Sequence, residues 1–265
     1  MHTDCHVHVR GTEDAKKVLA SMDAHGVEKA ILMGRGAKTM EDQRASNDDL
    51  ARLCSADPKR LIGFARIDPR IAGITDEIQR CRESLKLVGV KMLPDHWAPC
   101  DEFMWAIYKV VESLRMPILF HSGILWGNAD SSRFCRPALF ESVIHFPKLT
   151  IALAHIGWPW TDECTAVGHR FAHLARMEKR KKPQVFIDTT RGTPPVYRSD
   201  ALKKAIACSG VGSIIFGSDT GNPLDFSSSA DHARLDREIL DDLGMSEPDI
   251  DAILRTNLDR FLSAE

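Results

Sequence analysis

The chain has 265 residues with 35 Lys plus Arg against 37 Asp plus Glu, a formal net charge of −2. That balance argues against a nucleic-acid-binding face, whose footprint is a basic excess. No run of about 18 apolar residues occurs, so no membrane helix is expected. The first residues lack a basic leader followed by an apolar stretch, so a signal peptide is not expected. The seven Cys are widely spaced with no CxxC, which fits reduced thiols and a cytoplasmic protein rather than a disulfide framework or a Cys-type zinc site. Eleven His stand against two Tyr, and His is both the commonest metal ligand and the side chain that titrates near neutral pH.

Eight short apolar runs alternate with amphipathic stretches. The runs lie at 5–9, 29–33, 61–67, 88–93, 117–121, 150–155, 184–188 and 213–219. Helix starts are expected at Thr12, at Ser46 or Asn47, at Thr75, at Asp101, at Ser199 or Asp200, and at Ser246 before Glu247-Pro248. Gly26 and Gly210 stand where two of these helices should stop. Eight strand–helix units in this length average about 33 residues, close to the minimum βαβ module. Continuous apolar strands between helices imply a parallel sheet covered by helices. The expectation is one (β/α)8 TIM barrel over residues 1–265, with no GxGxxG or Walker motif to favour an open nucleotide-binding sheet. The longest irregular stretch, Gly123 to Arg136, follows the fifth strand, where a βα loop borders the active-site face and can serve as a lid.

In such a barrel, functional side chains come from the C-terminal ends of the strands. His6 and His8 are two apart on the first strand, so both rings share a face and form a metal claw. Taken alone, the pair reads equally well as two packed or solvated rings. His121, His155 and Asp219 change that balance, because each follows an apolar strand at the same end of the barrel. An unpaired buried Asp would be costly. Imidazoles plus a carboxylate suit zinc or a similar transition metal. Cys5 alternates with His6 and is expected to face away from the metal, beneath a helix.

The order of these residues resembles the amidohydrolase superfamily. Asp4-Cys5-His6-Val7-His8, Gly63-Phe64-Ala65-Arg66-Ile67-Asp68-Pro69, Gly89-Val90-Lys91-Met92-Leu93-Pro94, Phe120-His121-Ser122-Gly123, Ala154-His155-Ile156-Gly157, Gly217-Ser218-Asp219 and Asn257-Leu258-Asp259-Arg260-Phe261 resemble its amidohydrolase-related branch. That branch includes aminocarboxymuconate-semialdehyde decarboxylase, aromatic-acid decarboxylases and pyrone-dicarboxylate lactonases. The resemblance implies that His6, His8, His121 and Asp219 hold one divalent metal, zinc first and manganese as the alternative. It implies that His155 is either a further ligand or, the favoured reading, an acid/base group just off the metal acting with Asp219, while a metal-activated water attacks a small carboxylated carbonyl substrate, a lactone, ester or amide. Non-oxidative decarboxylation of an unsaturated or aromatic acid on the same metal is the alternative. Two-metal members carbamylate a fourth-strand Lys; Lys91 followed by Pro94 fits the single-metal pattern.

Arg10 and Arg191 are candidates for a substrate carboxylate through their guanidinium forks. Lys91, His96 and Trp126 are further substrate-binding candidates, and Trp97 is expected to pack in its loop or join an aromatic wall. Trp158-Pro159-Trp160 departs from the small residue that often follows the sixth-strand His pattern, so the pocket rim differs. His2, His25, His145, His169, His173 and His232 read as surface or packing residues. The partner expected is a small molecule, and a homodimer is compatible with the helical outer face.

Overall fold

A computed structural model describes residues 1–127, 129–221 and 224–263. Eight parallel strands run in chain order: β1 His2–His8, β2 Val27–Met33, β3 Leu61–Ile67, β4 Gly89–Met92, β5 Ile118–Phe120, β6 Ile151–Leu153, β7 Val185–Asp188 and β8 Ile214–Ile215. β1 closes the ring: the Cys5 N–H donates to Phe216 O at 2.9 Å and the His8 N–H to Thr220 O at 2.8 Å. The helices between strands are α1 Ala15–Ala24, α2 Met40–Cys54, α3 Ile74–Glu83, α4 Met104–Ser113, α5 Ser131–Phe134, α6 Thr161–Met177, α7 Pro195–Ser209 and α8 Ser227–Asp242; α9 Glu247–Asp251 and α10 Asn257–Leu262 complete the chain. This is the (β/α)8 barrel expected from the apolar periodicity.

Two apolar layers hold it. The larger lies between strands and helices and includes Val7, Leu32, Leu50, Ile78, Tyr108, Val167 and Leu202. The smaller fills the barrel interior with Ile31, Phe64, Leu119, Ala152, Phe186 and Ile215. Leu258 and Phe261 of α10 join the interior layer, and the Phe261 ring meets Phe186 at 5.3 Å and Phe64 at 6.1 Å. The tail thus plugs the N-terminal end and leaves the C-terminal end for chemistry.

Several local expectations are corrected. Cys5 does not lie beneath a helix but points into the barrel interior. The register of β1 against β2 shifts between Asp4 and Val7, and that irregularity breaks strict alternation, so Cys5 and His6 both face inward. α2 starts at Met40, where the Thr39 side chain accepts from the Asp42 N–H. Ser46 and Asn47 are therefore mid-helix and buried, and they bond outward to Arg35 O and Glu77 Oε1. α1 is capped by Asp14 rather than Thr12. α7 begins at Pro195, whose missing N–H costs nothing in a first helical turn. β6 and β8 stop earlier than their apolar runs: β6 ends at Leu153, just before His155 and Ile156 adopt left-handed φ of 60° and 50°, and β8 ends at Ile215, four residues before Asp219, whose φ is 60°.

Candidate metal centre

The strand ends converge on a pocket of about 250 Å³. His6, His8, Lys91, His121, His155 and Asp219 supply its polar floor; Leu93, Ile124, Leu125, Trp126 and Trp158 wall it, and Arg191 stands at its edge. The loop after β5 supplies three of those wall residues. It is tied down where the Ile124 N–H donates to Trp158 O at 2.7 Å and the Leu125 N–H to Ser131 Oγ at 2.7 Å. Residue 128 of this loop lies outside the described residues. Gly123 is required at the loop's start: φ is 92° and a Cβ would stand 2.2 Å from Trp158 O.

One ligand atom each from His6, His8 and Asp219 lies within 4.8 Å of the others. His8 Nε2 is 3.2 Å from Asp219 Oδ1 and His6 Nε2 is 3.6 Å from the same oxygen. His8 and Asp219 are about one-third exposed, at 35% and 34%, so this edge faces the pocket. His121 is buried and its Nε2 has no hydrogen-bond partner among the described residues. A buried unpaired imidazole nitrogen costs free energy in the absence of a partner. A divalent cation would supply that partner, and three imidazoles with one carboxylate lining the same pocket are a donor set that fits one.

The tautomers follow from the partners. A backbone carbonyl only accepts, so His155 Nδ1–H donates to Arg191 O. His155 Nε2 then accepts from His121 Nδ1–H at 3.2 Å, which leaves the His121 Nε2 lone pair bare. His6 is held in the same tautomer by another route, but its Nε2 lone pair is shared with Lys91. Its Nδ1–H donates to Asp188 Oδ2 at 2.7 Å, and Nε2 faces Lys91 Nζ at 3.1 Å. A ligating His is normally held in this way by a carboxylate or carbonyl behind it.

Burial holds the His6, His121 and His155 pKa values below the usual imidazole range, so all three rings are neutral and ready to ligate at neutral pH. Burial likewise brings Lys91 down to about 7. The Asp188 carboxyl is pushed up by burial, although its Oδ1 accepts the Thr190 N–H at 2.7 Å. Left-handed backbone at His155 and Asp219 is strain stored at the site. Gly192 permits it: a Cβ there would lie 2.9 Å from three His155 atoms.

A family model for amidohydrolases matches residues 3–263. The chain belongs to the amidohydrolase family. Among solved structures, this amidohydrolase is similar to 2,6-dihydroxybenzoate decarboxylase from Rhizobium, at 21% identity and TM-score 0.69, covering 98% of each chain. A dihydroxybenzoic acid decarboxylase from Polaromonas sp. with bound manganese and 2-nitroresorcinol is 18% identical, covering 98% of this chain and 96% of that one, with TM-score 0.71. A probable 2-pyrone-4,6-dicarboxylic acid hydrolase from Acinetobacter baumannii, with citric acid bound, is 15% identical, covering 98% of each, with TM-score 0.70. At these identities the likeness is one of fold. No sequence among the curated proteins matches the chain.

The remaining candidates divide. Lys91, Trp126 and Arg191 line the pocket; Arg191 is exposed and donates through Nη2 to Ser228 Oγ at 2.8 Å. Arg10 does not line it. β1 ends at His8, so strand parity does not carry Arg10 inward; it is exposed, and its backbone N–H donates to Glu13. His96 is 61% exposed beside Asp95 and borders a different cleft, while Trp97 is buried against Phe120. Two site residues escaped the sequence reading. Asp188 carried the signal that exposed Asp219, a carboxylate at the end of an apolar strand. Asp4 gave no such signal. It is buried at the middle of β1 and accepts from the His6 N–H, the Ser218 N–H, Ser218 Oγ and Ser229 Oγ, so it clamps the claw strand to the segment that carries Asp219. Burial raises its pKa to about 6. No helix of the described residues is long and apolar enough to cross a membrane.

Proposed function

We propose that this amidohydrolase is a metal-dependent enzyme that removes a carboxyl group from a small planar, unsaturated or aromatic acid. The carrying observation is the bare, buried Nε2 of His121 beside the His6–His8–Asp219 triangle, at the floor of a pocket walled by Leu93, Ile124, Leu125, Trp126 and Trp158. His6, His8, His121 and Asp219 would hold one divalent ion, zinc or manganese. When bound, such an ion polarises a coordinated oxygen as a Lewis acid.

The chain's own residues do the rest. The apolar and indole walls accept a flat ring and exclude water from it. Lys91 and Arg191 carry the positive charge that holds the leaving carboxylate. Asp188 and the Arg191 carbonyl keep His6 and His155 in one tautomer each. Asp219 presents Oδ1 to the two imidazoles. Although buried, the Asp219 carboxyl is held well below the usual carboxylate range by the His8 hydrogen bond and the His6 and His155 imidazoles, so its Oδ2, which takes no hydrogen bond among the described residues, first accepts a proton from the substrate's own acidic group or from solvent and then passes it on. The carbon–carboxyl bond breaks, carbon dioxide leaves, and the ring carbon takes the proton. Five of the similar structures, including those of Rhizobium and Polaromonas, are dihydroxybenzoate or carboxyvanillate decarboxylases, which supports this reading.

Hydrolysis of a carboxylated lactone, ester or amide is the second reading, favoured by the similarity to the probable pyrone-dicarboxylate hydrolase. Metal-loaded protein incubated in H₂¹⁸O with carboxyl-¹³C aromatic acids and unsaturated lactones separates the two. Decarboxylation yields ¹³CO₂ with no ¹⁸O in the organic product. Organic ¹⁸O without ¹³CO₂ establishes the second reading and overturns the first.

A further inference from the structure

A second cavity, about 230 Å³, opens beside the metal pocket between the loops that follow β2, β3 and β4. Leu93 lines both spaces, so they share a wall. The floor of the second cavity is Arg66. On β3 the side chains of Ile62 and Phe64 lie in the barrel interior, whereas Leu61, Ala65 and Ile67 lie beneath the helices. Arg66 thus has the inward parity at the C-terminal end of the strand, where a barrel collects its active site. It is the register partner of Lys91 on β4.

The acidic groups of this cleft, Asp68 and Asp95, act on both Arg66 and Arg70 through charge, and of the two arginines only Arg70 pairs with them at contact distance. Arg70 grips Asp68 with two N–H donors, at 2.9 and 2.7 Å, and its guanidinium is 3.1 Å from Asp95. Among the described residues, neither Arg66 nor the exposed Lys38 at the cleft mouth forms an ion pair or donates a side-chain hydrogen bond. The guanidinium packs under Gly36, where a Cβ would stand 3.4 Å from Arg66 Cζ, so the backbone there is shaped to the group.

We propose that Arg66, assisted by Lys38, anchors a second carboxylate of the substrate in this cleft while the ring occupies the metal pocket. The inference rests on the reading of that pocket as a ring site and names its specificity-determining cation. A planar fork that donates no side-chain hydrogen bond among the described residues is suited to a bidentate carboxylate.

Calorimetric titration of manganese-loaded protein tests it, with benzoate and the 1,3- and 1,4-benzenedicarboxylates as probes. The proposal expects at least one dicarboxylate to bind about tenfold tighter than benzoate, the scale of a charge-assisted pair. Arg66→Gln should erase that gain while benzoate affinity stays within about twofold and bound manganese is unchanged. Arg66→Lys should keep part of the gain. Lys38→Met, at an exposed position that poses little risk to folding, should reduce it by about threefold. Equal binding of all probes by the wild type, or a gain that survives both Arg66→Gln and Lys38→Met, overturns the proposal. The readout needs no turnover. A gain lost in Arg66→Gln without turnover of any acid leaves the subsite standing and removes the catalytic reading. Turnover without any dicarboxylate gain does the reverse.

Discussion

Replacing Asp188 with Asn changes one oxygen to an amide nitrogen, nearly isosterically, in a fully buried position. The His6 Nδ1–Asp188 Oδ2 bond is 2.7 Å long and charge-assisted, a class worth about 1.5–3 kcal/mol. The amide can also present N–H to Nδ1, which moves the ring proton to Nε2, the atom that faces the metal site. Loss of such a supporting acceptor lowers metal affinity by about 10–100-fold, or roughly 1.4–2.8 kcal/mol. Lys91 loses a favourable neighbouring charge at the same time. Competition of the apo-protein against a chromophoric chelator for zinc or manganese measures the change, and a thermal melt of the metal-free protein serves as control. The expected result is affinity reduced by at least tenfold with the melt shifted by only a few degrees. Affinity within twofold of wild type would refute the tautomer argument.

Three further outcomes follow from the same structure. The Arg198–Asp236 pair is buried, makes contacts at 2.6 and 2.7 Å, and braces the end of β7 through Thr189. Arg198→Met strands a buried carboxylate and should cost about 3–5 kcal/mol in urea denaturation; a cost below 1 kcal/mol would contradict the bracing role. Gly192→Ala pushes a methyl against His155 at a φ of 134°. It should reduce turnover of any substrate found more than it reduces stability, and unchanged kcat would count against the packing argument. Burial lowers the His232 pKa from 6.5 to about 4. The folded state therefore refuses a proton that the unfolded chain accepts: the stability is present above about pH 6.5 and is lost as pH falls toward 4, by up to about 1.4 kcal/mol per unit. His232→Gln should flatten that acid slope, and an identical slope in wild type and variant would exclude His232 as its source.

The barrel was legible because parallel strands buried on both faces are written as unbroken apolar runs, and the runs at 61–67 and 184–188 became β3 and β7 with little change. Strand ends were less legible: β6 stops just before the left-handed His155, where backbone strain overrides the run, and β8 pairs over only Ile214–Ile215 of its apolar run. The His-x-His claw was readable from a period of two, yet the same rule misplaced Cys5, because one register shift in β1 cancels the alternation. Arg10 failed for a related reason, since parity argues only as far as the strand runs. Polar positions inside helices misled as well, for Ser46 and Asn47 look like caps locally and are tertiary hydrogen-bond donors in fact. Of the partners behind the ligands, Asp188 ends an apolar strand as Asp219 does and was open to the same reading, whereas Asp4 depends on contacts across 214 residues, which local pattern does not contain.

The central claim is that His6, His8, His121 and Asp219 hold one divalent ion. Elemental analysis after loading and exhaustive dialysis tests it directly, on wild type and on His121→Ala. The account predicts one zinc or manganese per chain in the wild type and a clear loss in the variant. Two ions per chain, none, or full retention by His121→Ala would contradict it.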